Sequence, residues 1–175
     1  LALDFRPHYI GWEWWSSRDG LTWVSNSVDR VCQGGPLVGG NAMLVAVNSS
    51  GRSVSVSEDG LAWQSFTNAD WPTLEGLTYG NGRFVAVGVR TNATGVRAMG
   101  ISSADWQQWR LWEFPTPNVL HGVTYGNKTF LAYGAYGALF TSADTTNWVS
   151  HAQAPVVDSA AGVFGDGRFV VGRDW

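Results

Sequence analysis

Short alternating apolar runs, each introduced by a glycine turn, recur along the chain. Phe84-Val85-Ala86-Val87 follows the turn Gly80-Asn81-Gly82-Arg83, and the same order returns at Gly39 to Val47 (GGNAMLVAV), Tyr125 to Gly134 (YGNKTFLAYG) and Phe164 to Gly172 (FGDGRFVVG). The runs are β-branched and aromatic, so they predict strands. A phosphate-cradling loop opens a helix instead, which sets that reading aside. Asn81-Gly82 and Asp166-Gly167 supply the positive φ values that a two-residue hairpin requires.

A second motif interleaves with the first: serine, any residue, aspartate, three residues, tryptophan. It stands at Ser17/Asp19/Trp23, Ser57/Asp59/Trp63, Ser103/Asp105/Trp109 and Ser142/Asp144/Trp148. Each motif tryptophan precedes the next hairpin glycine by 17 residues, from Trp23 to Gly40, Trp63 to Gly80, Trp109 to Gly126 and Trp148 to Gly165. The return intervals are 23, 29 and 22 residues, which places an insertion in Val89 to Met99. A period of about 40 residues, rich in short strands and turns, is the signature of propeller blades or a similar stacked array.

Each unit reads as four antiparallel strands: one before the glycine turn, one after it, one entering the aspartate motif and one following the tryptophan. The fold class expected is therefore all-β, a β-propeller of four repeats of about 40 residues, with residues 1–175 as its single domain. The chain ends after a second-type strand and begins with a third-type one, Tyr9 to Ser17. Two arrangements follow. The ends share one blade and close a four-bladed ring, leaving no long strand edge, or the chain is a four-repeat segment of a larger propeller.

The serine–aspartate–tryptophan motif resembles the Asp-box (BNR) repeat, in a variant form. Its tryptophan lies four residues after the aspartate, one fewer than in the usual pattern, and Trp106 and Thr145 replace the glycine of the first two copies (Gly20 and Gly60). With the YGNGRFVAVG hairpins, the chain is similar over nearly its whole length to BNR-like propeller repeats. The resemblance implies that serine and aspartate fold back onto turn amides while the tryptophan packs beneath the hairpin, and that the motif lies away from any active site. Such propellers include sialidases, sorting receptors, lectins and photosystem assembly factors, so fold does not fix activity.

Composition narrows the partners. The formal net charge is −3, with Lys128 the only lysine, which offers no basic stripe for nucleic acid and no polybasic membrane patch. No apolar run is long enough for a membrane-inserting helix. The lone Cys32 excludes an intramolecular disulfide and a cysteine zinc cluster. Sequons at Asn48, Asn92 and Asn127 fall in expected turns or the inserted hairpin, and point to a secreted or cell-surface glycoprotein. The start at Leu1 reads as a processed chain or a fragment.

No catalytic constellation emerges, and no enzyme, metal or cofactor is expected. The four motif aspartates are explained by the repeat. Phe5-Arg6-Pro7 resembles a sialidase arginine motif but lacks its isoleucine. Glu13, Glu58, Glu75 and Glu113 are the carboxylates open to a glycosidase pair, and His8, His121 and His151 lack metal-ligand spacing.

Eleven tryptophans remain the main functional signal, four of them absorbed by the repeat. Trp14 aligns with core position Leu139, Trp175 ends the chain, and Trp12, Trp15, Trp71, Trp106 and Trp112 are the ligand-binding candidates, with Trp71 and Trp106 expected to be exposed. Exposed aromatic faces suit sugars and protein pockets alike. The expected function is a noncatalytic binding module, lectin-like or adhesive, with a carbohydrate or protein partner. The alternative is a scaffold subunit of a larger assembly, in which oligomerisation has a natural place. Sugar binding predicts shallow pockets repeated around one face, scaffolding one continuous patch of roughly 1,000 Å² or more.

Overall fold

A computed structural model describes residues 13–27, 35–48, 52–93, 95–151 and 158–173. Trp12, Trp175, Cys32, His8 and Phe5-Arg6-Pro7 lie outside them. The described residues form sixteen strands. A first pair, β1 (Glu13–Ser16) and β2 (Val24–Ser27), makes a two-stranded sheet. Three four-stranded antiparallel meanders follow: β3 (Leu37–Gly40), β4 (Met43–Val47), β5 (Ser53–Ser57) and β6 (Gln64–Thr67); β7 (Thr73–Gly80), β8 (Arg83–Asn92), β9 (Gly95–Ser103) and β10 (Arg110–Glu113); β11 (Leu120–Gly126), β12 (Thr129–Gly134), β13 (Leu139–Ser142) and β14 (Val149–Ser150). A last two-stranded sheet holds β15 (Ser159–Gly165) and β16 (Arg168–Arg173).

The local chemistry explains the hairpins. Asn81 and Gly82 adopt φ of 47° and 70°, Asp166 and Gly167 47° and 73°, and the equivalent Asn127 and Lys128 46° and 59°. Two consecutive left-handed residues give the turn whose twist matches its flanking strands. The insertion at Val89 to Met99 prolongs one hairpin, where β8 and β9 pair out to Asn92 opposite Gly95.

Why the apolar runs are continuous becomes clear from the stacking of sheets. Phe84 and Ala86 face the preceding sheet, joining Val45, Val47, Val54 and Val56, whereas Val85 and Val87 face the next one, joining Leu120, Phe130 and Phe140. A strand buried on both faces has no polar side to alternate with.

The first strands β3, β7, β11 and β15 are neighbours in turn, and glycine governs how closely they approach. A Cβ on Gly40 would fall inside the ring of Tyr79, one on Gly80 inside Tyr125, and one on Gly126 inside Phe164. Each sheet thus presents a glycine to the aromatic residue of the next. Gly76 likewise lies against the backbone of Gly122.

Among the described strands, those near the two chain ends do not pair with each other. β1–β2 and β15–β16 are separate two-stranded sheets, each carrying half of the four-strand set. Three complete sheets and two half sheets therefore make up the described array.

Gly80→Ala drives a methyl group into the Tyr125 ring and should cost about 1–3 kcal/mol in urea unfolding, the usual penalty of overpacking. Gly39→Ala meets only Leu44 Cδ2 at 3.5 Å and should change stability by no more than about 0.5 kcal/mol. Equal effects from the two variants would show that the glycine–aromatic contact does not control the junction.

Candidate functional site

The four serine–aspartate motifs build nearly the same turn. At the first, Ser17 Oγ donates to Asp19 Oδ1 (3.0 Å) and accepts the Gly20 amide (2.8 Å), while Asp19 Oδ1 also accepts the amides of Leu21 and Thr22, both at 2.8 Å. Trp23 Nε1 donates to the Gly20 carbonyl (3.2 Å). The matching contacts recur at Asp59 (with Leu61, Ala62), Asp105 (with Gln107, Gln108) and Asp144 (with Thr146, Asn147). Trp63, Trp109 and Trp148 each donate to the residue three before them. Aspartate suits this position because one short carboxylate reaches two orphan amides of the turn it occupies.

Those amides hold each carboxyl below its ordinary range. The largest cause is the Thr22 amide for Asp19, Ala62 for Asp59, Gln108 for Asp105 and Asn147 for Asp144. All four are on the surface, ionised and committed to their turns, which leaves them poor proton donors or acceptors for chemistry.

The residue after each aspartate sits in the left-handed region: Gly20 at φ 74°, Gly60 at 76°, Trp106 at 56° and Thr145 at 65°. In the last three turns it faces the preceding unit. Gly60 approaches Ser16, Trp106 meets Phe66 edge-on with centroids 6.3 Å apart, and Thr145 Oγ1 lies 3.4 Å from Ser102 Oγ. Open clefts lie along these turns. One of about 280 Å³ runs between the first two turns and is lined by Ser17, Arg18, Asp19, Thr22, Asp59 and Leu61. Another of about 310 Å³ is lined by Glu58, Asp59, Trp63, Gln64, Met43 and Trp106. A third, of about 350 Å³, flanks Asp144 and Asn147.

The tryptophan candidates separate. Trp106 is half-buried and borders the second cleft. Trp15 is 57% exposed, and so, against expectation, is motif residue Trp23 at 54%. Trp109 and Trp148 lean on Trp71 and on Trp112 and Phe114 respectively, whereas Trp23 belongs to the first described sheet and has no such neighbour among the described residues. The side chain of Trp14 is not described.

Trp71, expected to be exposed, is only 5% accessible. Asn68 caps its turn by accepting the Asp70 and Trp71 amides, and the indole turns inward to meet Trp109 at 5.9 Å. Trp112 stacks on Trp148 (5.9 Å, 19°) and covers Gly100, with its indole N–H buried and lacking an acceptor among the described residues. Trp71 is thus withdrawn from the surface, while Trp112 is half-buried.

A pairing that separate consideration of acids and histidines missed lies on the first strands. The ladders β7–β8, β11–β12 and β15–β16 each skip one residue, at Glu75, His121 and Ala160, as bulges do when they re-aim a side chain. With Gly76 against Gly122, the bulges of adjacent sheets come together, and His121 Nδ1 lies 2.7 Å from Glu75 Oε2. The equal offset of both residues from the hairpin glycine, five positions, was the available signal. Glu113 pairs with Arg97 at 2.6 Å and Glu58 borders the second cleft, while the Glu13 side chain is not described. His151 Nε2 meets Thr141 Oγ1 at 2.7 Å. No group of three metal-ligating side chains occurs among the described residues. Asn92 and Asn127 are exposed and Asn48 is half-buried.

Repeated antiparallel meanders stacked through their first strands define an all-β protein of the propeller kind. No family model matches the chain, and no curated protein matches its sequence. Among solved structures, it is similar to a catalytically inactive virginiamycin B lyase from Staphylococcus aureus, solved with quinupristin, at a TM-score of 0.65 and 12% identity, over 83% of this chain and 50% of that one. YCF48 bound to D1 peptide matches at a TM-score of 0.49 and 18% identity, over 74% of this chain and 43% of that one. The chain thus spans about half the length of these proteins.

Depressed aspartate pKa values link the turns to acid stability. The unfolded carboxyls, near pKa 3.8, bind protons before the folded ones do, so the turns contribute fully above that value and lose their contribution as pH falls through the folded pKa. Melting temperature should therefore fall steeply below about pH 4. Asp144→Asn should melt lower at neutral pH and fall less steeply on acidification; parallel melting profiles from pH 7 to 2 would remove the turn from the linkage. Trp112→Phe deletes an orphan donor and should cost no more than about 1 kcal/mol, against about 3–5 kcal/mol for Trp112→Ala, both read from urea unfolding. Similar losses would show that the indole N–H has an acceptor.

Proposed function

We propose that the chain is a noncatalytic binding module of the secreted or cell-surface type, built on variant Asp-box turns, whose ligand is a carbohydrate held in the cleft between Trp63 and Trp106. The observation that carries the reading is Trp106 at φ 56° in a position filled by glycine in two sister turns. A bulky residue in the left-handed region costs about 1–2 kcal/mol, and backbone strain of this kind concentrates at ligand-binding sites. The ring borders an open cleft together with Trp63, Glu58 and Gln64, an apolar face beside polar groups, which is what a sugar's C–H face and hydroxyls require. Repetition of shallow clefts along successive turns favours this reading over a scaffold with one continuous patch. Asn92 and Asn127, both exposed, are proposed glycan acceptors.

The lyase in the comparison is an enzyme, but at 12% identity the likeness concerns the fold alone. Glu75 and Glu113 are each engaged by a basic side chain, and the motif aspartates by their turns, which supports binding over hydrolysis.

Trp106→Gly separates the ligand role from the fold, because glycine relieves the turn while removing the Phe66 contact. Net stability should change by about 1 kcal/mol or less. On a glycan array the parent chain should show saturable binding to a defined sugar that Trp106→Gly abolishes. Equal binding by the variant would exclude the cleft, and failure of the folded parent to bind any glycan would transfer the aromatics to a protein partner and a scaffold role.

A further inference from the structure

We infer that the cleft between Trp63 and Trp106 selects carbohydrates that carry a free amino group, held as an ammonium between indole and carboxylate. The inference rests on the carbohydrate reading of that cleft and adds the charge of its ligand. Two half-buried indoles, Trp63 and Trp106, and two exposed carboxylates, Glu58 and Asp59, line the cleft beside Ala62 and Gln64. Among the described residues, no lysine, arginine or histidine lines it. Indole and carboxylate together recognise an organic cation: the ring face attracts it through its quadrupole, and the carboxylate accepts its N–H groups.

The fold also leaves acceptors open here. In the first and fourth turns, the residue three positions after the aspartate caps its second carboxylate oxygen: Thr22 Oγ1 donates to Asp19 Oδ2 (3.2 Å) and Asn147 Nδ2 to Asp144 Oδ2 (2.8 Å). In the second turn that place belongs to Ala62, which has no side-chain donor, and Asp59 engages Ser57, Leu61 and Ala62 through Oδ1 alone. Asp59 Oδ2 therefore keeps its lone pairs, and the small side chain of Ala62 leaves space beside it. The Ala62 and Leu61 amides hold the Asp59 carboxyl below its ordinary range, so it carries its charge at neutral pH. Glu58 has no hydrogen-bond or ion-pair partner among the described residues.

The same arrangement turns acidic sugars away, because the arginine that would clamp a carboxylate or sulfate is committed elsewhere. Arg18 belongs to the adjoining cleft, and Arg110 donates to Thr146 in the following sheet (2.9 Å). Arg83 alternates with Phe84 and so shares the strand face of Val85, which turns to the following sheet. A uronate or sulfate in the cleft meets two like charges without a counter-charge, whereas an ammonium is drawn to both indole and carboxylate.

The test is calorimetric titration of the folded chain with oligosaccharides of one length and linkage that differ at a single ring position, bearing an amine (glucosamine), an acetamide (N-acetylglucosamine) or a hydroxyl (glucose). A uronate oligosaccharide and oligolysine complete the set. The amine form should bind about tenfold tighter than the acetamide and hydroxyl forms at low salt, with the preference shrinking as salt screens it and the uronate binding weakest. Glu58→Gln should cut the preference to about threefold or less, and Trp106→Gly should abolish binding of the amine form. Asp166→Asn removes an exposed carboxylate outside the cleft while keeping a favourable Asn-Gly turn, and should retain the preference. Equal affinity for the amine, acetamide and hydroxyl forms, lost in Trp106→Gly, overturns the charge selection and leaves the carbohydrate reading standing. Tight binding of the amine form that neither Glu58→Gln nor Trp106→Gly weakens places it elsewhere on the acidic surface and also overturns the selection. Absence of binding to every oligosaccharide overturns this inference and the carbohydrate reading together, and oligolysine bound alone would assign the cleft to a basic protein segment.

Discussion

The contact between a glycine of one sheet and an aromatic ring of the next sets the geometry on which the rest of the array depends. Gly40 receives Tyr79, Gly80 receives Tyr125 and Gly126 receives Phe164. A planar ring fits against bare backbone only where no Cβ intervenes, so the first strands lie closer than ordinary sheet faces packed about 10 Å apart. That closeness carries along the strands: Gly76 meets the backbone of Gly122, the two bulges face each other, and Glu75 and His121 are drawn to 2.7 Å. The aspartate turns stand at the same end of the sheets as the glycine hairpins, with Phe84 opposite Ser103, and Asn81 Nδ2 of one hairpin donates to the Ala143 carbonyl in the next sheet's turn (3.3 Å).

Features that depend on a few consecutive residues were legible in the sequence. Asn81-Gly82 specified its turn, Asp59 its bonds to Leu61 and Ala62, and the constant 17-residue spacing its unit, because the forces involved act within one hairpin. Burial was less legible because it depends on which unit a residue occupies. Trp23 and Trp109 share one motif, yet Trp109 is covered by Trp71 and Trp23 is exposed. Trp71 misled for a related reason. Its flanks, Asn68, Asp70 and Pro72, read as an exposed connection, but the segment folds under the following sheet and Pro72 itself is fully buried.

The pairing of Glu75 with His121 was hidden for a different reason. The two are 46 residues apart, and nothing local distinguishes a bulged residue from its neighbours in an alternating strand. Only the repeat aligns them. Residues placed identically in successive units meet across a junction when their side chains point along it, so the repeat alignment carries tertiary information that no single unit contains.

Repetition also shows where the fold leaves room for specificity. The serine, aspartate and tryptophan of each turn are tied by hydrogen bonds through their side chains, and the hairpin glycines Gly40, Gly80 and Gly126 are held by the rings they receive. The residue after the aspartate is under neither constraint, and it varies: Gly20, Gly60, Trp106, Thr145. Its left-handed φ makes glycine the least costly choice, and both departures contact the preceding sheet, one through Phe66 and the other through Ser102. Thr145 is buried, so packing accounts for it. Trp106 meets Phe66 on one side and borders an open cleft on the other, so the position that tolerates variation is also one that reaches the surface between two turns.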